Sequence, residues 1–290
     1  MSDQEGVMVP PLLSVPVDAS NSTIPAGVYI SFTGGKDSLL VTSMIKLTMP
    51  HLAIKRLVTF GPMTELAHPI AFIKAQSRAL GFDHQFCEIS GEPSWTESYR
   101  SHFRRFADEE DVRLLATGDV EDVADGFLGK TSSTTNLRIL SPIYGKARDI
   151  LLKDFREFGL KPLISFVSLF HVPLEVAEQL LGRYLDDTTI AVLNAHNERV
   201  RQGLVPQGEW NGQPNKHNVP VDMIGENGEF HTMCLDGTAF EKRVCLVNED
   251  DGRAEMVLET IPRRINDNGR YFYLEYDVVG KRVGFDLREK

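Results

Sequence analysis

Residues 34–38 read Gly-Gly-Lys-Asp-Ser and follow, after Thr33, on the apolar run 28–32, which has the pattern of a strand. Two adjacent glycines let a backbone approach an anion closely and take positive φ. The segment 38–47 has apolar residues at 39, 40, 44, 45 and 47 and reads as a helix. Strand, glycine pair and helix start together put free N–H groups and the positive end of the helix dipole where a phosphate would sit. The loop is not of the Walker type, because Gly35-Lys36 is followed by Asp37 rather than by Ser or Thr.

Two further stretches could complete such a site. Thr117-Gly118-Asp119 follows the buried run 113–117, and ligands of open α/β sheets bind beyond the carboxyl ends of the strands. Asp119 could there place a carboxylate beside Mg²⁺ and phosphate oxygens; a helix N-cap is the plainer role. Residues 225–232 read Gly-Glu-Asn-Gly-Glu-Phe-His-Thr, with Asp236-Gly237 soon after. Glu226, Glu229 and His231 are candidates for a general base, an ammonium binder or a metal ligand. Strand alternation from 229 onward puts Glu229 and His231 on one face. A polar hairpin carrying surface charges is the alternative, and the two alone are too few for a metal centre.

The elements that must position these groups are legible in the spacing. Strand patterns at 28–32, 55–60, 113–117 and 161–167 alternate with helical patterns at 38–47, 69–80, 94–111 and 148–158. Gly81 closes the second helix. Trp95, Tyr99, Phe103 and Phe106 recur at helical spacing and are assigned to the core rather than to base stacking. The expectation is an α/β, Rossmann-like parallel sheet with helices on both faces. After about residue 168 come helical patterns at 173–182 and 188–203, a Gly-, Pro- and Asn-rich loop at 204–219, and short strands separated by turn signals. Residues 270–279 and 282–287 read as a terminal hairpin. The chain divides into an arm at 1–26, a nucleotide-binding domain at 27–168 and a smaller α+β domain at 169–290.

Composition narrows the function classes. At 290 residues, 42% hydrophobic and 25% charged, the chain is long enough for a sizeable core. The stretch 162–174 is its longest apolar run and is too short to span a bilayer. Residues 1–26 carry four prolines and no Lys or Arg, so they lack the basic start of a signal peptide and read as a loosely attached arm. Cys87, Cys234 and Cys245 have no metal spacing and read as core thiols of a cytoplasmic protein. A net charge of −10 with scattered basic residues disfavours a nucleic-acid partner. Trp95 and Trp210 are candidates to contact a quaternary ammonium, Trp210 the better placed because it lies in the long loop; simple packing is the commoner role of tryptophan.

The loop at 31–38 resembles the pyrophosphate (PP) loop of ATP pyrophosphatases. Taken with His68, Gln76, Leu80-Gly81-Phe82, Gly118-Asp119, the 225–232 segment, Leu235-Asp236-Gly237 and Phe240, it resembles the diphthine–ammonia ligase-like (diphthamide synthase domain) family over about residues 28–245. The resemblance implies a HUP-type nucleotide-binding domain facing a C-terminal domain across a cleft, with ATP and Mg²⁺ as cofactors. It implies that Ser31, Thr33, Gly34, Gly35, Lys36, Asp37, Ser38, Gly118 and Asp119 hold the nucleotide, Asp37 and Asp119 through the metal. Glu226, Glu229 and His231 then sit on the substrate side and, with Lys36 and Asp37, form the catalytic set. The family reaction amidates the diphthine carboxylate of elongation factor 2 with ammonium, giving AMP and pyrophosphate.

Two departures bear on the substrate. Diphthine ligases resemble Glu-Gly-Gly-Glu-Tyr/Phe-Glu-Thr where this chain has Glu226-Asn-Gly-Glu-Phe-His-Thr232, which is similar to a largely bacterial sister clade linked to cobalamin salvage. The Tyr-Gln-Arg-x-Arg-x-Glu-like run of the ligases is replaced at 121–135 by a Gly-, Ser- and Thr-rich stretch. Diphthine ligation, amidation of a small-molecule carboxylate, and a nucleotide-binding protein without turnover all stay open. Intact Gly34-Gly35-Lys36-Asp37-Ser38, Glu226 and Glu229 argue against the last.

Overall fold

The computed structural model describes residues 26–290 except 64–66, 123–124 and 278–281. The arm expected at 1–26 and the turn signal at Gly280-Lys281 lie almost wholly outside the described residues. The first half forms β1 (Ala26–Ser31), α1 (Lys36–Thr48), β2 (Leu52–Gly61), α2 (Ile70–Ala79), β3 (His84–Glu88), α3 (Trp95–Asp108), β4 (Leu114–Ala116), α4 (Phe127–Ser132), β5 (Arg138–Leu140) and α5 (Arg148–Glu157). The five strands make one parallel sheet in the order β3-β2-β1-β4-β5.

Alternation along β1 explains why helices cover both faces. Val28 and Ile30 pack to one side with Leu39 and Leu40 of α1, Phe72 of α2 and Leu151 of α5. Tyr29 points to the other, with Phe103 and Phe106 of α3. The aromatic spacing of α3 is thus a core stripe at its C-terminal half, while Trp95 at its first turn is 49% exposed. The sheet order reverses at β1, so the loops leaving β1 and β4 emerge side by side, where Ile30 pairs with Ala116.

The second half comprises β6 (Pro162–Ser168), α6 (Leu174–Leu180), α7 (Asp187–Arg201), β7 (Glu209–Trp210), β8 (Gln213–Pro214), β9 (Phe230–Cys234), β10 (Arg243–Asn248), β11 (Ala254–Glu255), β12 (Arg263–Ile265), β13 (Tyr271–Leu274) and β14 (Val283–Arg288). Strands β12-β13-β6-β9 form an antiparallel sheet, and β11-β10-β14 a second one.

Two expectations about strand pairing are corrected. The run at 161–167, grouped with the parallel sheet, lies antiparallel between β13 and β9; a buried apolar run does not encode its partner. Among the described residues the two segments of the expected terminal hairpin also take other strand partners: β13 pairs with β6 and β12 and β14 with β10, the segments being joined to each other by the Val283 N–H donating to Tyr276 O at 2.8 Å. Phe272 and Leu274 enter the core against Val167, and β14 instead covers the buried strand Val244–Val247. The three cysteines are buried and unpaired, and burial pushes the Cys87 thiol up to about 11. No helix among the described residues is long and apolar enough to cross a membrane.

Candidate functional site

Helix α1 begins at Lys36, two residues earlier than its apolar spacing indicates, with Gly35 as its N-cap. Lys36, Asp37 and Ser38 therefore occupy the first turn, whose N–H groups have no partner within the helix. Gly34 takes φ +81°, and a Cβ there would lie 2.6 Å from the Gln76 side-chain oxygen, so only glycine fits. Ser38 is buried, and its hydroxyl binds the Gly35 carbonyl (3.2 Å) and accepts from the Thr33 N–H (3.3 Å). It knits the loop closed. Thr33 is exposed, and Ser31 is half-buried at the end of β1.

Lys36 is the electrostatic centre. It is only 5% exposed, and its Nζ lies 2.6 Å from Asp37 Oδ2 and 3.2 Å from Glu226 Oε1. Burial pulls the ammonium pKa down, but the two carboxylates outweigh it and hold the group above its ordinary value. One ammonium shared by two carboxylates leaves one of them undercompensated: burial, then Asp37, raise the Glu226 pKa despite Lys36. A phosphate arriving at Lys36 thus meets a cation already neutralised and must take the place of a carboxylate.

Gly118 packs against this turn so closely that a Cβ would lie 2.7 Å from the Ser38 nitrogen. Asp119, next in the chain, has its pKa raised by burial and by the facing carboxylates of Asp37 and Asp122, partly offset by a hydrogen bond with Thr117. Asp37 Oδ1 is buried with no hydrogen-bond partner. A carboxylate oxygen without a partner, facing a second acidic side chain whose ionised form burial and like charge disfavour, is an arrangement that a divalent cation would relieve; Mg²⁺ takes its other ligands from phosphate and water. Among the described residues no group of three or more His, Cys, Asp or Glu is placed to hold a metal by itself.

The 225–232 segment meets the loop through Glu226 and Thr232, whose Oγ1 accepts the Lys36 N–H at 3.3 Å. Glu229 is placed differently from Glu226. It is 3% exposed, and its oxygens accept from Asp222 N (2.9 Å), Asn227 N (2.8 Å) and Asn227 Nδ2 (3.1 Å). Its carboxylate ties down the turn that presents Glu226. His231, two residues on, is exposed at the sheet surface with its ring against Phe166, centroids 4.9 Å apart. Crowding around the ring and the Lys36 ammonium hold its pKa below the usual value.

Three residues carry structural roles that spacing alone does not reveal. Gln76 donates to Gly34 O (3.0 Å) and Cys234 O (2.7 Å), bolting the loop to β9. His68 bridges Thr33 O (3.2 Å) and Ser165 Oγ (3.0 Å), and Ser165 binds the His231 carbonyl. Arg148 joins Glu121 to Asp222 beside Glu226. All three are polar residues whose partners lie far along the chain, so only the motif positions of His68 and Gln76 hinted at them. A separate cleft of about 460 Å³, lined by Arg156, Leu160, Lys161, Tyr184, Leu185 and Asp187, shares no residue with this cluster.

His68 makes a testable link between loop and pH. Its burial, with a contribution from His231, pushes the imidazole down to about 4. The unfolded chain binds a proton there below about 6.5, whereas the folded chain does not until about 4, so stability falls as pH drops through that window. The loss is on the order of 3 kcal/mol. His68→Gln should flatten this part of the pH–stability curve in urea unfolding at neutral pH and at about pH 4; an unchanged slope would assign the acid sensitivity elsewhere.

No protein-family model matches the chain, and no curated protein matches it. Among solved structures it is similar to the U34-tRNA thiolase NcsA from Methanococcus maripaludis, a structure containing a [4Fe-4S] cluster. That match has 17% identity and a TM-score of 0.35, over 45% of this chain and 56% of the thiolase, so the chain spans little more than half of that neighbour. It is also similar to a predicted subunit of tRNA methyltransferase from Methanocaldococcus jannaschii DSM, with 16% identity and a TM-score of 0.36, over 75% of this chain and 99% of that one. Neither likeness is large enough to carry function across, and the reading of the site rests on its own geometry.

Proposed function

We propose that the chain is an ATP pyrophosphatase of the PP-loop type that adenylates a substrate carboxylate and passes it to ammonia or an amine, in the manner of a diphthine–ammonia ligase. The observation that carries this reading is Lys36, buried at the start of α1 and paired across the chain with Glu226. A phosphate-type helix N-terminus, two loops at the switch point of a parallel sheet and an acidic turn from the second half all meet at the first turn of α1, where Asp37 and Glu226 share the Lys36 ammonium.

In this mechanism the N–H groups of Gly34 and Gly35, with Lys36, receive the charge that develops on the leaving pyrophosphate, usually the largest catalytic contribution. Asp37 and Asp119 would hold Mg²⁺, which supplies neutralisation of the phosphates. A substrate carboxylate oxygen bonds to the α-phosphorus as the bond to pyrophosphate breaks. The nitrogen then bonds to the activated carbonyl carbon, and AMP leaves with the bridging oxygen. Glu226, released from Lys36 by the phosphates, is placed to accept the proton that the nitrogen sheds. His231 lines the approach, and Glu229 keeps Glu226 in position.

The test is purified protein with Mg-ATP, ammonium and diphthine-bearing elongation factor 2, following AMP and the mass of the factor. Conversion of acid to amide with matching AMP would establish the ligase. AMP formation that responds only to small carboxylates would support the second reading, a small-molecule acid, which the exposed His231 and the rings beyond it favour. Absence of AMP with every acid would leave a nucleotide-binding protein without turnover.

A further inference from the structure

The sheet β12-β13-β6-β9 buries one face, and on the other His231 is exposed and Phe166, Tyr271 and Tyr273 are partly exposed. Phe230, Val167 and Phe272 point inward, at 2%, 0% and 8% exposure. On the outer face His231 pairs in register with Phe166, Phe166 with Tyr273 and Tyr273 with Arg264, so one row of side chains crosses all four strands. Tyr271 lies two residues from Tyr273 and packs its ring on Phe166, centroids 4.7 Å apart. None of these rings is fully buried.

At the far end stands Arg270. Its guanidinium carbon lies 5.2 Å, 5.1 Å and 5.3 Å from the ring centroids of Phe170, Trp210 and Tyr271. Its Nε is buried without a hydrogen-bond partner, and among the described residues no carboxylate lies within ion-pairing distance. In a chain of net charge −10, where Arg264 of the same sheet pairs with both Asp267 and Glu275, Arg270 is a cation held by three rings and given no counter-charge. Trp210 therefore does not offer a free ring to a substrate ammonium: Arg270 already occupies it, and its indole N–H binds Asn268 O at 2.9 Å.

We infer that this outer face is the acceptor-substrate platform of the proposed ligase, and that it takes a planar aromatic or heteroaromatic acid carrying a second anionic group. The reactive carboxylate points past His231 toward the loop, the ring lies on Phe166 and Tyr271, and the second anion engages Arg270. Continuity favours this occupant. The inner end is tied to the loop through His231 O, Ser165, His68 and Thr33 O, and the outer end carries the uncompensated cation. Flat rings suit a planar partner because stacking does not demand a particular hydrogen-bond pattern.

The inference rests on the ligase reading but can fail separately from it. The probes are naphthalene dicarboxylate and its fully saturated decalin counterpart, matched in charge, titrated calorimetrically into the full chain. The planar diacid should bind about tenfold tighter, the scale of one stacking contact. Tyr271→Leu and Phe166→Leu, which keep an apolar side chain at partly exposed positions and remove the flat ring, should each erase most of that preference. Arg270→Gln should weaken the planar diacid about tenfold, with Arg270→Lys recovering part of it. Equal binding of the two diacids, or binding indifferent to Tyr271 and Arg270, would overturn the platform whatever AMP assays show. A Tyr271-dependent preference without acid-dependent AMP would keep the platform and sink the ligase.

Discussion

Lys36→Met is expected to lower AMP formation about 10²–10³-fold at saturating Mg-ATP, the range seen when one donor to a developing anion is removed. The side chain keeps nearly its length and loses only its ammonium, so the loss measures charge. Among the described residues Lys36 is the cation paired with both Asp37 and Glu226. Without it, two carboxylates face the incoming phosphates with no fixed positive charge between them. Stability should fall too, by roughly 3 kcal/mol, because deleting one partner of a buried pair leaves charge uncompensated. Urea unfolding beside the AMP assay separates the two effects. A rate within tenfold of wild type in a folded Lys36→Met protein would mean that Lys36 is a structural clamp and that the phosphates bind elsewhere.

Gly118→Ala should act through geometry alone. The added methyl would sit 2.7 Å from the Ser38 nitrogen and 2.8 Å from the Asp37 carbonyl carbon, both backbone atoms in the first turn of α1. Backbone cannot rotate aside as the tip of a flexible side chain can, so α1 must shift away from the β4 loop. The expected cost is about 1–3 kcal/mol of stability together with loss of measurable nucleotide binding. Gly129→Ala is the matching control: it lies in helix α4 with nothing within 4 Å of its Cβ, and should be neutral or stabilise by about 0.5–1 kcal/mol. Normal ATP affinity in Gly118→Ala would place the phosphates away from this turn.

Much of the first half is legible in the chain. Apolar period and glycine punctuation locate the strands and helices, and residues 34–38 could be read as a candidate anion loop because each neighbour in that motif is also a neighbour in space. The second half is less transparent. Its strands are short, and short apolar runs specify burial without specifying a partner, which is why β6 and β14 pair unexpectedly. Alternation also put Glu229 and His231 on one face of a strand, yet β9 begins only at Phe230, and one is a buried tie while the other is an exposed ring.

The sequence by itself determined the parallel α/β core, the loop at its switch and the residue types that could meet a phosphate. These depend on local periodicity and on the conformations that glycine permits. The tertiary structure decided which acid meets Lys36, since Glu226 stands 190 residues away and its neighbour in the motif, Glu229, turns inward to hold the backbone. It also decided that Arg270 lies among rings without a counter-charge. Ion pairing and ring contact depend on distances of a few ångströms, and only the packing of distant strands sets those.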